Sequence, residues 1–424
     1  MSISQNFPNT RPSLNLNFAR SKTLDPRITF TRSQTGNEAS YVDEDGLIKY
    51  ASADEPRFDH DPVTGECLGL IIEEQKTNLC FYGTTIENFA ARSGGIKTAN
   101  ATTAPDGTTT ATRLQGGGTT SPYFDDNSNR QYVAGTTYTF SCFFKANGTD
   151  EVYILIYGTN WNGSGETNVV GHFDLTTGDI IAAAGGAERE PTGGIKMEPY
   201  PNGWYRCSIT ETCATTHNAN HQLIRLVGGN ADIYAWGYQI EESSFMSSLI
   251  PTTTNQTVSR AKEYQTISGT DFTDFYNPSE GTFYVKYNIK GYFGVDGFNR
   301  IFEVSDGGSA NRYTALLRGT NQDIYDSGWN ATLNFNNSLI TFGDFYTYIM
   351  GYKENDFQRY AIDRNGDIDS NTDDSVTVSS FTPTELNIGY EAINDNRQLN
   401  GHISQLVYYP ARLSNSQLQT LLLQ

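Results

Sequence analysis

Apolar and polar positions alternate in short runs along most of this chain, and sustained helical spacing is absent. Residues 14–18 alternate as a short strand does. Residues 41–50 (YVDEDGLIKY) read as a hairpin about an Asp-Gly turn. Pro56, the Asp61–Pro62 step and Thr64–Gly65 each start turns, and residues 68–72 then form an apolar run. Gly65 on one side and the acidic pair Glu73–Glu74 on the other bracket that run as one buried strand.

From residue 81 to about 260 strand patterns follow at short spacing: YTFSCFF at 138–144, EVYILIY at 151–157, WYRCSIT at 204–210, then 222–227 and 232–240. Asp106–Gly107, Asn147–Gly148 and Asn202–Gly203 are turn dipeptides between them. A fresh series begins at 262, with strands expected at 281–289, 300–304, 313–318, 345–352, 360–363, 376–381, 385–389 and 403–409. Ser414 and Gln417 form a capping-box pattern, after which Leu418, Leu421 and Leu422 share one face of a short helix. The pattern predicts an all-β chain: an N-terminal segment (1–80) followed by two β-sandwich domains (81–261 and 262–424). Residues 1–55 carry too little apolar surface for a core of their own, so they are expected to pack on a partner or on copies of themselves.

Composition narrows the partners. A formal net charge of -19 argues against binding nucleic acid through its phosphates, and against an anionic membrane as a resting partner. No run of roughly eighteen apolar residues is present, and residues 1–10 lack the basic and apolar regions of a signal peptide, so the expectation is folding in a cytosol without membrane insertion. With 26 Tyr, 23 Phe and 40 Gly, the chain suits pleated sheet with many turns. Five cysteines without paired spacing point to buried, reduced thiols; Cys207 and Cys213 are the one pair placed to meet across a turn.

Several stretches carry a resemblance. Residues 24–32 (LDPRITFTR), 41–48, Arg57-Phe58-Asp59, Gly69-Leu70-Ile71-Ile72-Glu73 and Thr77-Asn78-Leu79 together resemble a junction of bacteriophage virion appendage proteins, tail and head fibres especially. Residues 104–108, 135–141 with Lys145–Ala146, 202–206 and 234–241 are similar to a carbohydrate-binding jelly-roll module of phage fibres. Its closing tail is matched by Ile250-Pro251-Thr252 and Arg260–Ala261, with Leu249 where a tyrosine is usual. Residues 401–414 are similar to the closing strand of concanavalin-like and laminin-G-like sandwiches. The resemblance implies a virion protein, assembled in host cytoplasm with other virion proteins, trimeric and glycan-binding, with residues 1–80 as its anchor.

No constellation compels an enzyme. The acidic pairs Glu73–Glu74, Asp125–Asp126, Glu241–Glu242 and Asp373–Asp374 read as solvated turn residues rather than the opposed carboxylates of a glycosidase. His217 and His221 lie in polar sequence that reads as a loop. Asp363, Asn365, Asp367 and Asp369 alternate oxygen donors around Gly366 as calcium loops do, but no bidentate Glu completes them, and a hairpin turn is the simpler account. No other cofactor is implied. For sugar, a flat ring with nearby amides or carboxylates is needed. Trp161 between Asn160 and Asn162, and Trp329 near Tyr325 and Asp326, are indoles in polar loops and the candidates for that role. Trp204 and Trp236 fall in strand patterns and are assigned to the core. The expected function is structural attachment to a virion with host-glycan recognition; the alternatives are a surface-polysaccharide depolymerase and a purely structural decoration protein.

Overall fold

The computed structural model describes residues 10–34, 36, 38–118, 121–148, 151–161, 168–183, 188–219, 223–291, 298–308, 311–318, 341–362, 368–373, 382–393 and 397–422. They form an all-β protein of two sandwiches. The first stacks a six-stranded sheet on a seven-stranded one. Strand Thr137–Ala146 runs through the middle of the former, between Trp204–Thr212 and Asp232–Glu242. Glu151–Tyr157 holds the corresponding place in the latter, between Asn168–Asp174 and Ile224–Leu226. Period-two alternation does the sorting: Phe140, Cys142 and Phe144 meet Val152, Ile154 and Ile156 in the space between the sheets.

The second sandwich differs from expectation in an instructive way. Its eight-stranded sheet is centred on Glu280–Ile289 and Gly401–Tyr409, and the latter strand receives two strands from the start of the chain. Leu14–Asn17 pairs with its residues 405–408, and Cys67–Ile72 with its residues 401–403. Phe58–His60 adds outside Cys67–Ile72, and Thr29–Thr31 edges the facing five-stranded sheet beside Tyr264–Ser268. Leu14, Leu16, Phe18, Leu70 and Ile72 therefore share one core with Phe283, Val285, Phe302 and Leu406. The N-terminal segment, expected to pack on a partner or on copies of itself, instead contributes four strands to this sandwich's own sheets. Its poverty in apolar residues has a physical reason: Leu14–Asn17 and Cys67–Ile72 complete a core supplied largely by residues some 330 to 390 positions away in sequence, the largest separations the sheet register brings together among the described residues.

The predicted hairpin forms from Ala39–Val42 and Ile48–Ala51 around Gly46, whose φ of +76° suits the glycine of its turn. It does not join either sandwich sheet. Ile48 and Tyr50 lie on the outer face of the six-stranded sheet against Phe143, Trp204, Trp236 and Leu249. The two tryptophans are thus buried as assigned, but under the hairpin rather than between the sheets. The capping box also forms, with Ser414 N–H donating to Gln417 Oε1 at 2.9 Å, and starts the Asn415–Leu422 helix that buries Leu418, Leu421 and Leu422. All five cysteines are free; Cys142 and Cys207 stand opposite each other on neighbouring strands, and Cys207 and Cys213 make no disulfide. The strand expected at 360–363 begins earlier and spans Asp356–Ile362; residue 363 lies outside the described residues. The strand expected at 376–381 lies outside the described residues.

Candidate functional site

Where the hairpin bridges the two sandwiches, a set of charged residues is fully buried. Arg57, on the turn into strand Phe58–His60, donates from Nη2 to Glu73 Oε2 at 2.9 Å and to Glu263 Oε2 at 2.8 Å, and from Nε to Glu263 Oε1 at 2.7 Å. Arg32 reaches Glu263 Oε1 at 2.8 Å, and Arg260 lies 3.0 Å from Glu73 Oε2. Ser248 donates its hydroxyl to Glu73 at 2.6 Å, and its own backbone N–H does the same at 2.9 Å. Burial pushes the Glu73 and Glu263 carboxyls up, but the facing guanidinium groups outweigh it and hold both below the usual carboxylate range. The segments that meet here are the start of the chain, the exit of the first sandwich and the entrance of the second. Arg32, Arg57 and Glu73 belong to the N-terminal stretches singled out in the sequence and Arg260 to the closing tail of the following module, so those stretches meet in a buried ion lattice. Glu263 had no place in that reading.

The acidic pairs need correcting on the same ground. Glu73, Asp125, Asp126 and Glu241 are buried rather than solvated. Each has a partner: Asp125 the Arg92 guanidinium, Asp126 that of Arg130, and Glu241 the Gln239 amide and the Ser247 N–H. Turn-rich sequence hid this, because the partnering arginines are distant along the chain or lie on another strand. Asp374 lies outside the described residues.

Beside the lattice a cleft of about 320 Å³ opens between the sandwiches, at the small end of the usual range for ligand pockets. Tyr200 and Arg206 of the first sandwich form one wall and Tyr41 of the hairpin another; Asp59, His60 and Lys290 of the second close the floor. Asp59 Oδ1 accepts the Val42 N–H at 2.7 Å, while its Oδ2 lies 2.8 Å from His402 Nε2 and 3.5 Å from Lys290 Nζ. Burial raises the Asp59 pKa, but the Lys290 charge and the His402 hydrogen bond outweigh it and leave the carboxyl well below its ordinary value. The His402 ring has acceptors on both sides, Asp59 Oδ2 and Asn288 Oδ1 at 2.8 Å, which favours a second proton; burial opposes this more strongly and holds its pKa down. His60 Nδ1 lies 2.9 Å from the Val42 carbonyl, so that nitrogen carries the proton. The cleft thus offers two aromatic rings with donors and acceptors interleaved, which is what a polyhydroxylated ligand requires.

Of the residues singled out from sequence, those that the structure describes fall elsewhere. Trp161 ends a short 3₁₀ turn, Thr159–Trp161, and only 1% of its surface is exposed. Its indole meets Tyr132, Tyr138 and Phe140 edge to face and sits against His217, so it fills the core of the first sandwich and presents no face to a sugar. The Asn160 carbonyl accepts the N–H groups of Ala214 and Thr215 and fixes the neighbouring turn. His217 is on a short strand, His217–Ala219, rather than in a loop. Asn162, His221, Tyr325, Asp326 and Trp329 lie outside the described residues, as do Asp363, Asn365 and Asp367. Asp369 is on strand Ile368–Asp373, in register with Ala361. Among the described residues no cluster of three or more His, Cys, Asp or Glu is placed to hold a metal ion, and no helix is long and apolar enough to cross a membrane.

Sequence reasoning missed Tyr41, His60, Tyr200, Arg206 and Lys290. One signal was available. In WYRCSIT the period of two places Arg206 on the same face as Trp204, opposite the core-facing Cys207 and Ile209. An arginine mid-strand beside a buried tryptophan marks a face that is covered yet polar.

No protein-family model matches the chain, and no curated protein matches it. Similar solved structures include the carbohydrate-binding module of a Ruminococcus gnavus sialidase bound to α2,3-sialyllactose (14% identity, 34% of this chain and 82% of that one, TM-score 0.28). A botulinum neurotoxin type C, which enters cells dependent on interaction with two ganglioside molecules, is similar at 7% identity, over 38% of this chain and 40% of that one, with a TM-score of 0.29. The CBM2 module of the evolved Dit of Lactobacillus casei BL23 phage J-1 is similar at 10% identity, over 36% of this chain and 71% of that one, with a TM-score of 0.23. The chain spans well under half the length of the toxin chain.

Proposed function

We propose that this chain is a non-enzymatic appendage protein of a phage particle, trimeric there, which binds host-surface glycan in the cleft between its two sandwiches. The observation that carries the glycan reading is the cleft itself. It sets Tyr41 and Tyr200 about a floor of Asp59, His60 and Lys290, drawn from three separated parts of the chain. Aromatic rings hide the apolar faces of a pyranose, and the interleaved polar groups replace the water its hydroxyls lose. The ion lattice behind the cleft supports this reading, because it fixes the two sandwiches relative to each other and so preforms the site. The particle assignment rests on the junction resemblance, and no covalent chemistry is part of the reading. A glycan array probed with the full chain tests binding, and imaging of labelled particles tests the location and symmetry. Array silence removes the glycan reading; absence of label from particles removes the appendage reading.

A further inference from the structure

Arg206 is the odd member of its kind. Among the described residues the buried arginines are Arg32, Arg57, Arg206, Arg260, Arg300 and Arg312, and all of these but Arg206 sit against a glutamate. Arg206 is 5% exposed, and its guanidinium lies 5.3 Å above the Phe143 ring. Its polar neighbours are neutral hydroxyls, Ser141 Oγ at 3.5 Å from Nη2 and the Tyr200 hydroxyl, and its buried Nε has no hydrogen-bond partner. A buried guanidinium left this incomplete is costly unless an anion completes it. Arg206 lines the inter-sandwich cleft, and so does His60, whose buried Nε2 also lacks a partner. With its proton on Nδ1, His60 offers Nε2 as an acceptor for a hydroxyl.

Resting on the glycan reading, we infer that the cleft takes a sugar bearing a carboxylate. The carboxylate pairs with the Arg206 fork, and a ring hydroxyl donates to His60 Nε2. The acidic groups of the cleft do not oppose this. Asp59 is engaged by Val42, His402 and Lys290; Asp61 Oδ1 accepts the N–H groups of Val63 and Thr64; Glu198 is in register with Arg206 on the neighbouring strand but makes no ion pair with it and is exposed to water that screens its charge. The chain's negative charge acts over longer range and is screened within about 8 Å at physiological salt.

The test is calorimetric titration and thermal melting of the full chain with methyl glycosides of glucuronate, galacturonate and N-acetylneuraminate. Methyl glucoside, sodium acetate and sodium phosphate are the comparison arms. At least one acidic glycoside should bind ten-fold or more tighter than the glucoside, with acetate and phosphate silent. Arg206→Met should abolish that preference while the free protein melts at or above the wild-type temperature, and Arg206→Lys should restore part of the binding. Equal binding of the glucoside overturns the acidic inference and leaves the glycan reading standing. A response to acetate or phosphate equal to that of the sugars overturns the sugar part. Silence of all three acidic glycosides, or binding unchanged in Arg206→Met, overturns the inference, and the array result with neutral glycans then decides the glycan reading separately.

Discussion

Arg57 and Glu263 form a two-pronged pair, Nε to Oε1 at 2.7 Å and Nη2 to Oε2 at 2.8 Å, across 206 positions of sequence. Arg57 enters the edge of the second sandwich from the start of the chain, and Glu263 lies on the connection from the first sandwich to the second, just after strand Val258–Arg260, which pairs with Lys76–Asn78. The pair is therefore a tie between the halves of the molecule, and a replacement there tests their coupling. Arg57→Met leaves Glu73 and Glu263 buried without their shared cation, and should cost about 3–5 kcal/mol. Urea unfolding followed by fluorescence should show the lower midpoint. An unchanged midpoint would mean the lattice contributes no net stability.

The interleaving of the chain predicts unequal fragments. A chain of residues 262–424 lacks strands Leu14–Asn17, Thr29–Thr31, Phe58–His60 and Cys67–Ile72, which pair within both of its sheets. It should show no cooperative transition in calorimetry, whereas residues 81–261 keep every strand of both sheets of the first sandwich and should show one. A sharp melt of the 262–424 fragment contradicts the shared core.

Trp161→Ala removes a ring from the core of the first sandwich and should destabilise the protein by about 3–5 kcal/mol, as other large-to-small core changes do. The check is the melting temperature of the variant; a value equal to wild type would place the indole on the surface after all. This residue also shows what sequence could convey. Alternation along Thr137–Ala146 and Glu151–Tyr157 made the strands and the fold class legible, because a buried face writes itself at every second position. The environment of Trp161 is set by Tyr132 and His217, which reach it from two other strands, and polar neighbours in sequence said nothing of them. The same limit hid the cleft. Tyr41, His60, Arg206 and Lys290 come together only through pairings such as that of Cys67–Ile72 with Gly401–Tyr409, which no local pattern announces.

Acid should loosen the junction first. Asp59, Glu73 and Glu263 all have folded pKa values below those of the unfolded chain, where carboxyls titrate near 3.9 to about 4.3. In the window between, the unfolded state binds more protons, so stability falls as pH falls. Their contribution is fully present above about pH 5 and lost as pH drops through the depressed folded values. Melting temperature measured from pH 7 to pH 3 should decline gently below about pH 6.5, where the unfolded chain's His402 takes a proton that the buried ring resists, and then fall steeply below about pH 4.5. Glu263→Gln, which removes one of these carboxylates, should flatten that fall; a wild-type profile level down to pH 3 would contradict the pairing.

The central claim is that sugar lies between the sandwiches, and crystals of the full chain grown with the strongest ligand from a glycan array test it most directly. The account predicts a sugar ring between Tyr41 and Tyr200, within hydrogen-bond reach of Arg206 and His60. A ligand ordered anywhere else contradicts it, including the neighbouring groove of about 470 Å³ beside Tyr50, Asp106 and Thr108.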